Sequence, residues 1–492
     1  MKNITQFKLM CAAILLLVAA SVQEVKAAYT TDLPYVELTT AQEPNKGIWY
    51  FWFMGTTEED NNSIWVDWNN NGQYDDGEAC PPSGDQSGEV VSQTIRVYGN
   101  ISLFSCNENS ITKIDLSNNN LIEKLYFTNN QVESVDVSHL TNLIEFCCNG
   151  NMLATIDVSN NLNLEVFNCS NNLLTTLDVS KNTKLKELEC GQNEIANLDV
   201  SNNSKMETLY CNDLKITSID VSKNPALYLL NIANNKISEI DLTKCPLFNG
   251  IDCRNTLIED LDFSGNPSLA QIICDDTYIS SLDISQTPNL QLLSCANCNL
   301  TELDLSKHSK LGKVIVNNNK LQQLDFSATT TDLFEVYCYM NNISEENMGK
   351  LIESLPDATN ASMEGWIFVI DTEDTKELNV CNTEQVKAAT KKRWEVYDFK
   401  GGSNYGLNNY EGSEPSASLQ VINGNRIEVW ASNSVININV TEKWVGTDVK
   451  IYDQAGTLKY SGDINDTNMR IGNLEKGIYI VAVGQRAWKV IL

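Results

Sequence analysis

The chain has 492 residues and a formal charge of −29, from 64 acidic against 35 basic side chains. That length exceeds one compact domain, and such a field repels nucleic acid and anionic lipid while favouring basic partners or cations. Nucleic acid is therefore not an expected partner.

Lys2 and Lys8 precede an apolar run from Met10 to Val22, and Val25-Lys26-Ala27 supplies small residues after it. The run is too short to span a bilayer and has the build of a secretory signal peptide over residues 1–27. No later stretch is apolar for long enough to form a membrane helix, so no transmembrane span is expected. The mature chain reads as secreted or held at the cell surface, associated with an outer membrane.

Residues 28–100 are rich in Trp and Tyr, as in Ile48-Trp49-Tyr50-Phe51-Trp52-Phe53, and predict a small N-terminal β domain. From Asp67 to Glu78 the sequence matches the calcium-loop pattern D-x-[DN]-x-[DN]-G-x5-E. Asp67, Asn69, Asn71, Gln73, Asp75 and Glu78 offer oxygen atoms to a hard cation, and Gly72 permits the sharp turn. Trp65 and Val66 read as a strand entering the loop, so a plain Asn/Asp/Gly hairpin turn stands beside calcium as the other reading. Calcium is the one cofactor suggested.

Between Ile111 and Ser327 an Asp set between two apolar residues, with Ser or Thr next, returns every 21 residues, eleven times from Asp115 to Asp325. A fixed period of this size is the mark of a solenoid. A Cys slot keeps the same period at Cys106, Cys148, Cys169, Cys190, Cys211, Cys253, Cys274 and Cys295, with Phe127, Ile232 and Val316 taking the place elsewhere. A slot open to Cys, Phe, Ile or Val faces inward, so reduced, buried thiols are expected rather than disulfides. An Asn slot follows it at Asn109, Asn130, Asn151, Asn172, Asn193, Asn235 and Asn319, where an inward amide can satisfy turning backbone.

Side chains alternate along a strand, so the residue before each Cys slot faces out. That row is irregular, and Tyr126, Asn168, Glu189, Tyr210, Asp252, Ile273 and Ile315 are its candidate binding residues. Stacked carboxylates about 5 Å apart repel by just under ~1 kcal/mol per pair in water. The Asp ladder therefore predicts a local offset, with each carboxylate taking N–H or hydroxyl bonds from the turn carrying Ser117, Ser138 and their equivalents.

The block Leu185-x-x-Leu188-x-Cys190-x-x-Asn193-x-Ile195 resembles the leucine-rich repeat family. More narrowly it resembles the nested 21-residue class called IRREKO, internalin-like and known from secreted bacterial proteins. The resemblance runs from about Ile101 to Asn342 and defines a repeat domain at 101–343. It implies a solenoid with a parallel sheet on its concave side and short strands or turns opposite.

Past Ser344 the period stops. Ser344 predicts the cap of a helix through Glu346–Ser354, Trp366–Ile370 a strand, and Asn382 with Gln385 a capping box opening a helix through Lys392. Strand-like Trp394–Tyr397 completes an α/β cap and linker over 344–412, with Lys391-Lys392-Arg393 read as a solvated helix end. Alternating runs at 436–440, 449–452 and 478–483 predict a small β-sandwich over 413–492. Val449–Gly456, Leu474–Val481 and the terminal Trp488-Lys489-Val490-Ile491-Leu492 resemble the C-terminal sorting domain of the type IX secretion pathway, which implies a Bacteroidetes-type exporter.

The only two His, His139 and His308, sit in turn slots, and neither a phosphate loop nor a dinucleotide fingerprint occurs, so no enzyme is read. The expected fold is mainly β with some α: a leucine-rich-repeat solenoid between a small N-terminal β domain and a C-terminal β-sandwich. The expected function is protein–protein interaction or adhesion to a host or bacterial surface through the solenoid. The other reading is glycan binding through the N-terminal β domain and aromatic concave residues.

Overall fold

The computed structural model describes residues 29–80, 84–330, 332–402, 408–413, 427–432, 435–484 and 486–491. The expected signal peptide lies outside them, as does most of the Gly/Ser-rich linker. The chain divides into two compact units, Met1–Leu300 with Lys307–Leu311, and Thr301–Ser306 with Gly312–Leu492.

In the first unit each 21-residue repeat contributes one three-residue strand. These are β8 (Lys124–Tyr126), β9 (Glu145–Cys147), β10 (Val166–Asn168), β11 (Glu187–Glu189), β12 (Thr208–Tyr210), β13 (Leu229–Asn231), β14 (Gly250–Asp252), β15 (Gln271–Ile273) and β16 (Leu292–Ser294). Neighbours pair in parallel and in register, as Leu188 opposite Phe167 and Leu209 shows. The period holds because each strand places one large apolar residue and one Cys-slot residue inside. Phe167, Cys169, Leu188, Cys190, Leu209 and Cys211 are all fully buried, and each such apolar side chain contributes ~1.5–3 kcal/mol. All the described cysteines carry free thiols.

The chain leaves each strand through a residue at positive φ, such as Asn129 (55°), Asn171 (53°), Asn234 (58°) and Asn255 (53°). Asn tolerates this region because its short polar side chain bonds locally, and Gly150 (69°) meets the same need without a side chain. The ladder Asn follows at once. Asn172 donates from Nδ2 to the carbonyls of Cys148 (3.0 Å) and Cys169 (3.1 Å), and its Oδ1 accepts from Leu153 N (3.0 Å). One amide therefore closes its own turn and ties it to the preceding repeat.

The N-terminal strands join directly onto the first repeats. A sheet in the order β3 (Trp65–Asp67), β5 (Thr94–Tyr98), β1 (Tyr35–Thr40), β7 (Ile111–Asp115) takes in the first Asp of the repeat series. Meanwhile β2 (Ile48–Gly55) pairs antiparallel with both β4 (Gly84–Glu89) and β6 (Ile101–Ser105), and β6 pairs in parallel with β8. The reason is the double-sided hydrophobicity of β2. Trp49, Phe51 and Phe53 cover the open end of the repeat core, a task a terminal repeat must meet.

In the second unit β17 (Lys313–Ile315), β18 (Glu335–Tyr337), β19 (Gly365–Ile370) and β20 (Trp394–Asp398) run in parallel, and β21 (Asn408–Asn409) adds antiparallel to β20. Ser344 caps helix α2 (Glu345–Ser354), and Asn382 with Gln385 forms the capping box of α3 (Thr383–Lys391); the short α1 (Glu58–Asn61) belongs to the first unit. Lys392 is not a solvated helix end. Its Nζ donates to the carbonyls of Ile352 (3.3 Å), Glu353 (2.6 Å) and Leu355 (2.7 Å), where α2 ends in unpaired acceptors.

Residues 427–491 form a sandwich with its own core. One sheet joins β22 (Ile427–Ser432), β23 (Val435–Val440) and β26 (Asn468–Ile471). The other has the order β25 (Leu458–Asp463), β24 (Asp448–Asp453), β27 (Ile478–Val483), β28 (Arg486–Ile491). Ile436, Ile438, Val449, Ile451 and Val481 fill the space between them. The architecture is thus mainly β, a leucine-rich-repeat solenoid with flanking β elements.

Candidate functional site on the outward face of the repeat sheet

Alternation on three-residue strands points the middle residue inward and its neighbours outward. Tyr126, Asn168, Glu189, Tyr210, Asp252 and Ile273 are all half-buried, each between the buried middle residue of its strand and the buried Cys-slot residue that follows the strand. In the second unit Ile315 has the same place on β17. Two members of the row are more enclosed: Ser105 and Ser294, the latter donating from Oγ to Asp275 Oδ1 (2.6 Å).

Pairing registers place Tyr126, Cys147, Asn168, Glu189, Tyr210, Asn231, Asp252 and Ile273 on successive strands of one sheet. Several are already engaged. The Tyr126 hydroxyl meets Glu145, which also pairs with Lys124. Asn168 Nδ2 donates to Glu189 Oε2 (2.6 Å), and Arg254 holds both oxygens of Asp252 through Nε (3.0 Å) and Nη2 (2.6 Å). Glu189 stands beside Glu187 on β11. Burial pushes its carboxyl above the ordinary range, and the Glu187 charge adds to this. Burial also raises the Tyr210 phenol, helped by the Glu189 charge. The middle of the row thus presents two crowded carboxylates flanked by an aromatic ring.

The Asp ladder does something else. In all eleven repeats Oδ1 accepts the main-chain N–H two residues on, from Ser117 N on Asp115 (3.0 Å) through Ser201 N on Asp199 (2.9 Å) to Ser327 N on Asp325 (2.8 Å). This is a repeated Asx turn. Backbone and hydroxyl donation from Ser201 holds the Asp199 carboxyl below its ordinary range, and Asp157 and Asp262 behave alike through Ser159 and Ser264.

A second amide ladder was legible in the sequence but not read. The Asn closing each D-V-S-x-N run is fully buried: Asn161, Asn182, Asn203, Asn224 and Asn266. Each donates to two carbonyls of the preceding repeat; Asn203, for example, reaches Val179 O (3.0 Å) and Asn182 O (2.9 Å). Cys245, Thr287 and His308 substitute for it, and His308 lies with Nε2 3.0 Å from Ile284 O. Cys245 and His308 reach the equivalent carbonyl of the preceding repeat, whereas Thr287 donates to Ile284 O of its own repeat (2.8 Å).

In the calcium-like loop, Asp67 is fully buried and accepts from Asn71 N (3.0 Å) and Gly72 N (2.9 Å). Glu78, also buried, accepts from Trp68 N (3.2 Å) and Asp75 N (2.8 Å). Asn69 and Asn71 both donate to Asp75 Oδ2, at 2.9 and 2.7 Å, while the Gln73 side chain is exposed. Among the described residues no group of three or more His, Cys, Asp or Glu is arranged to hold a metal ion. The loop closes on its own main chain.

A recess of about 500 Å³ in the first unit lies off the sheet, along the positive-φ turns at Asn234, Asn255 and Asp276 and the exposed side chains of Leu257 and Tyr278. No described helix is long and apolar enough to cross a membrane.

No family model matches the chain, and no curated protein does. Among solved structures it is similar to the functional domain of InlJ from Listeria monocytogenes, which includes a cysteine ladder. That likeness spans 80% of this chain and 92% of the other, at 21% identity and a TM-score of 0.42. An internalin from the same organism is similar over 56% of this chain and 86% of its own, at 18% identity and a TM-score of 0.44. A leucine-rich-repeat protein of Leptospira interrogans is similar over 48% of this chain and 65% of its own, at 21% identity and a TM-score of 0.46. The likeness is one of repeat fold.

Proposed function

We propose that the chain is an exported, surface-associated leucine-rich-repeat protein that holds a protein partner against the outward face of its repeat sheet. The observation that carries this reading is a contrast within one repeat. The inward Cys slots stay apolar, the Asp turns keep their identity, and the Asn slot departs only at Leu214, Thr256, Thr277 and Cys298, whereas the outward row from Tyr126 to Ile273 changes at every step. A rigid sheet with varied, half-exposed side chains can be matched to one ligand. The Glu187 and Glu189 carboxylates beside Tyr210, in a chain of charge −29, favour a partner that presents basic residues there. Adhesion to a host or neighbouring cell is the biological form of this activity, with the sandwich at 427–491 serving as the sorting domain for export.

The experiment is capture from surface extracts with the mature chain and with a Glu189→Lys, Tyr210→Ala variant. The expected result is a partner lost by the variant and weakened by salt. Identical capture by both proteins would remove the sheet face from consideration. Because the Glu189 carboxyl is raised above 4.5, binding should weaken as the pH falls through that raised value, and Glu189→Gln should flatten the dependence. The loop at Asp67–Glu78 is proposed as a calcium site on its match to the calcium-loop pattern and on the burial of two of its carboxylates, Asp67 and Glu78.

A further inference from the structure

Strand β2 has two unlike faces. Inward lie Trp49, Phe51 and Phe53, at 0, 2 and 2% exposure; outward lie Ile48, Tyr50, Trp52 and Met54, at 45, 56, 41 and 39%. The outward set is not an accident of a frayed edge. β2 is hydrogen-bonded on one side to β4 and on the other to β6, so the face is the open surface of a sheet interior. Trp52 stands opposite Ser105, and Ser105 opposite Tyr126, so Trp52 continues the outward row by two strands.

A recess of about 300 Å³ opens there, and Tyr50, Trp52, Gln86, Ser87, Ser105 and Asn107 line it. The described lining side chains are aromatic or neutral polar, in a chain whose net charge is −29. Ser105 and Asn107 are tied together, Asn107 donating from Nδ2 to Ser105 Oγ (3.1 Å) and accepting from Thr128 N (2.7 Å) on Oδ1. By contrast, the Tyr50 hydroxyl, the Trp52 indole N–H and the Ser87 hydroxyl have no hydrogen-bond partner among the described residues. Tyr50 and Trp52 lie two residues apart on one face, ~7 Å along the strand.

We infer that this recess is a binding subsite for an uncharged oligosaccharide. A sugar ring offers a flat C–H face and a rim of neutral hydroxyls. An aromatic platform with polar tips and neutral hydrogen-bonding neighbours complements both. A basic peptide would call for carboxylates in the lining, and an anionic glycan or lipid headgroup for cations; the described lining side chains include neither. An apolar protein segment would leave the free hydroxyls and indole N–H to be desolvated unpaired. The subsite is distinct from the Glu189–Tyr210 part of the sheet and does not depend on the protein-partner reading.

The test is a glycan array carrying neutral and acidic oligosaccharides, probed with the mature full-length chain. Titration of a neutral hit, followed by tryptophan fluorescence, comes next. Neutral glycans are expected to bind, acidic ones not. Trp52→Ala should weaken a neutral hit about tenfold or more, Tyr50→Ala by several-fold, and Trp52→Phe should retain much of the affinity. Both side chains are exposed, so circular dichroism should show the variants folded. The Glu189→Lys, Tyr210→Ala variant should bind the glycan as the parent does. Absence of any neutral ligand at millimolar concentration, unchanged affinity in Trp52→Ala, or preference for acidic glycans would each overturn the assignment. So would a Trp52→Ala variant that loses a protein partner while no glycan binds the parent.

Discussion

A single ladder amide such as Asn172 shares the carbonyls of Cys148 and Cys169 with Asn151 and Asn193, and it alone among side chains bonds the N–H of Leu153. Asn172→Ala strands that buried N–H and takes one donor from each carbonyl, and should cost roughly 1–3 kcal/mol in urea unfolding, because an orphaned donor loses more than a hydrogen bond gains. A cost below half a kilocalorie would show that water or a neighbour replaces the amide. The thiols make a second residue-scale case. Cys147 is half-exposed, yet burial pushes its thiol up to about 12, whereas a bond with the Cys274 side chain brings Cys298 down to about 7 despite its small exposure. Thiolate, not thiol, is the nucleophile. Brief iodoacetamide treatment at pH 8 should therefore label Cys298 before Cys147, and peptide mapping reads the order; the reverse order would mean that access governs.

At the scale of elements, the sequence announced what is repeated and concealed what is joined. The Cys and Asn slots and the Asp turn are local, so their spacing alone fixed their roles, and Ser344 and the Asn382–Gln385 box marked α2 and α3 within a residue. Pairing of β2 with β6 was not legible, because antiparallel partners 50 residues apart leave no periodic trace. Nor was the role of Lys392, whose three carbonyl acceptors come from the end of another helix. The Asp67–Glu78 loop was recognised as a pattern, but only the coordinates show Asp67 and Glu78 held by main-chain N–H groups. For this loop the expected outcome is a rise in the unfolding temperature in millimolar calcium, reversed by a chelator and absent in Glu78→Gln. Superimposable melting curves with calcium and with chelator would leave it a turn.

Over the whole molecule, the Asx turns set the response to acid. Each ladder Asp from Asp115 to Asp283, Asp199 for instance, is held below its ordinary value of 3.8. Its contribution is therefore complete above the unfolded value and lost as the pH falls through the lower folded one. Raised groups act the other way. Burial lifts Glu189, Asp275 and Glu377, so their opposition to folding is relieved as the pH drops through their raised values. The midpoint of urea unfolding should thus hold or rise slightly on mild acidification and fall steeply below about pH 4. Replacing several ladder Asp by Asn should flatten the steep limb, since the amide oxygen still accepts the Ser N–H but no longer titrates. An unaltered steep limb would place acid lability elsewhere.

Through much of the first unit a repeat makes the same amide bonds to the one before it, as Asn151, Asn172 and Asn193 reach back to Phe127, Cys148 and Cys169. The consequence is genetic as much as mechanical. A recombination event that excises 21 codons in frame among these Asn-bearing repeats rejoins each severed bond to an equivalent partner, because their amides share one pattern and Asp157 and Asp178 open identical turns. The gene can therefore lengthen or shorten its recognition sheet in single steps without passing through an unfolded intermediate product. Only the outward side chains change company, so each such event samples a new arrangement of the row at no cost to the scaffold beneath it.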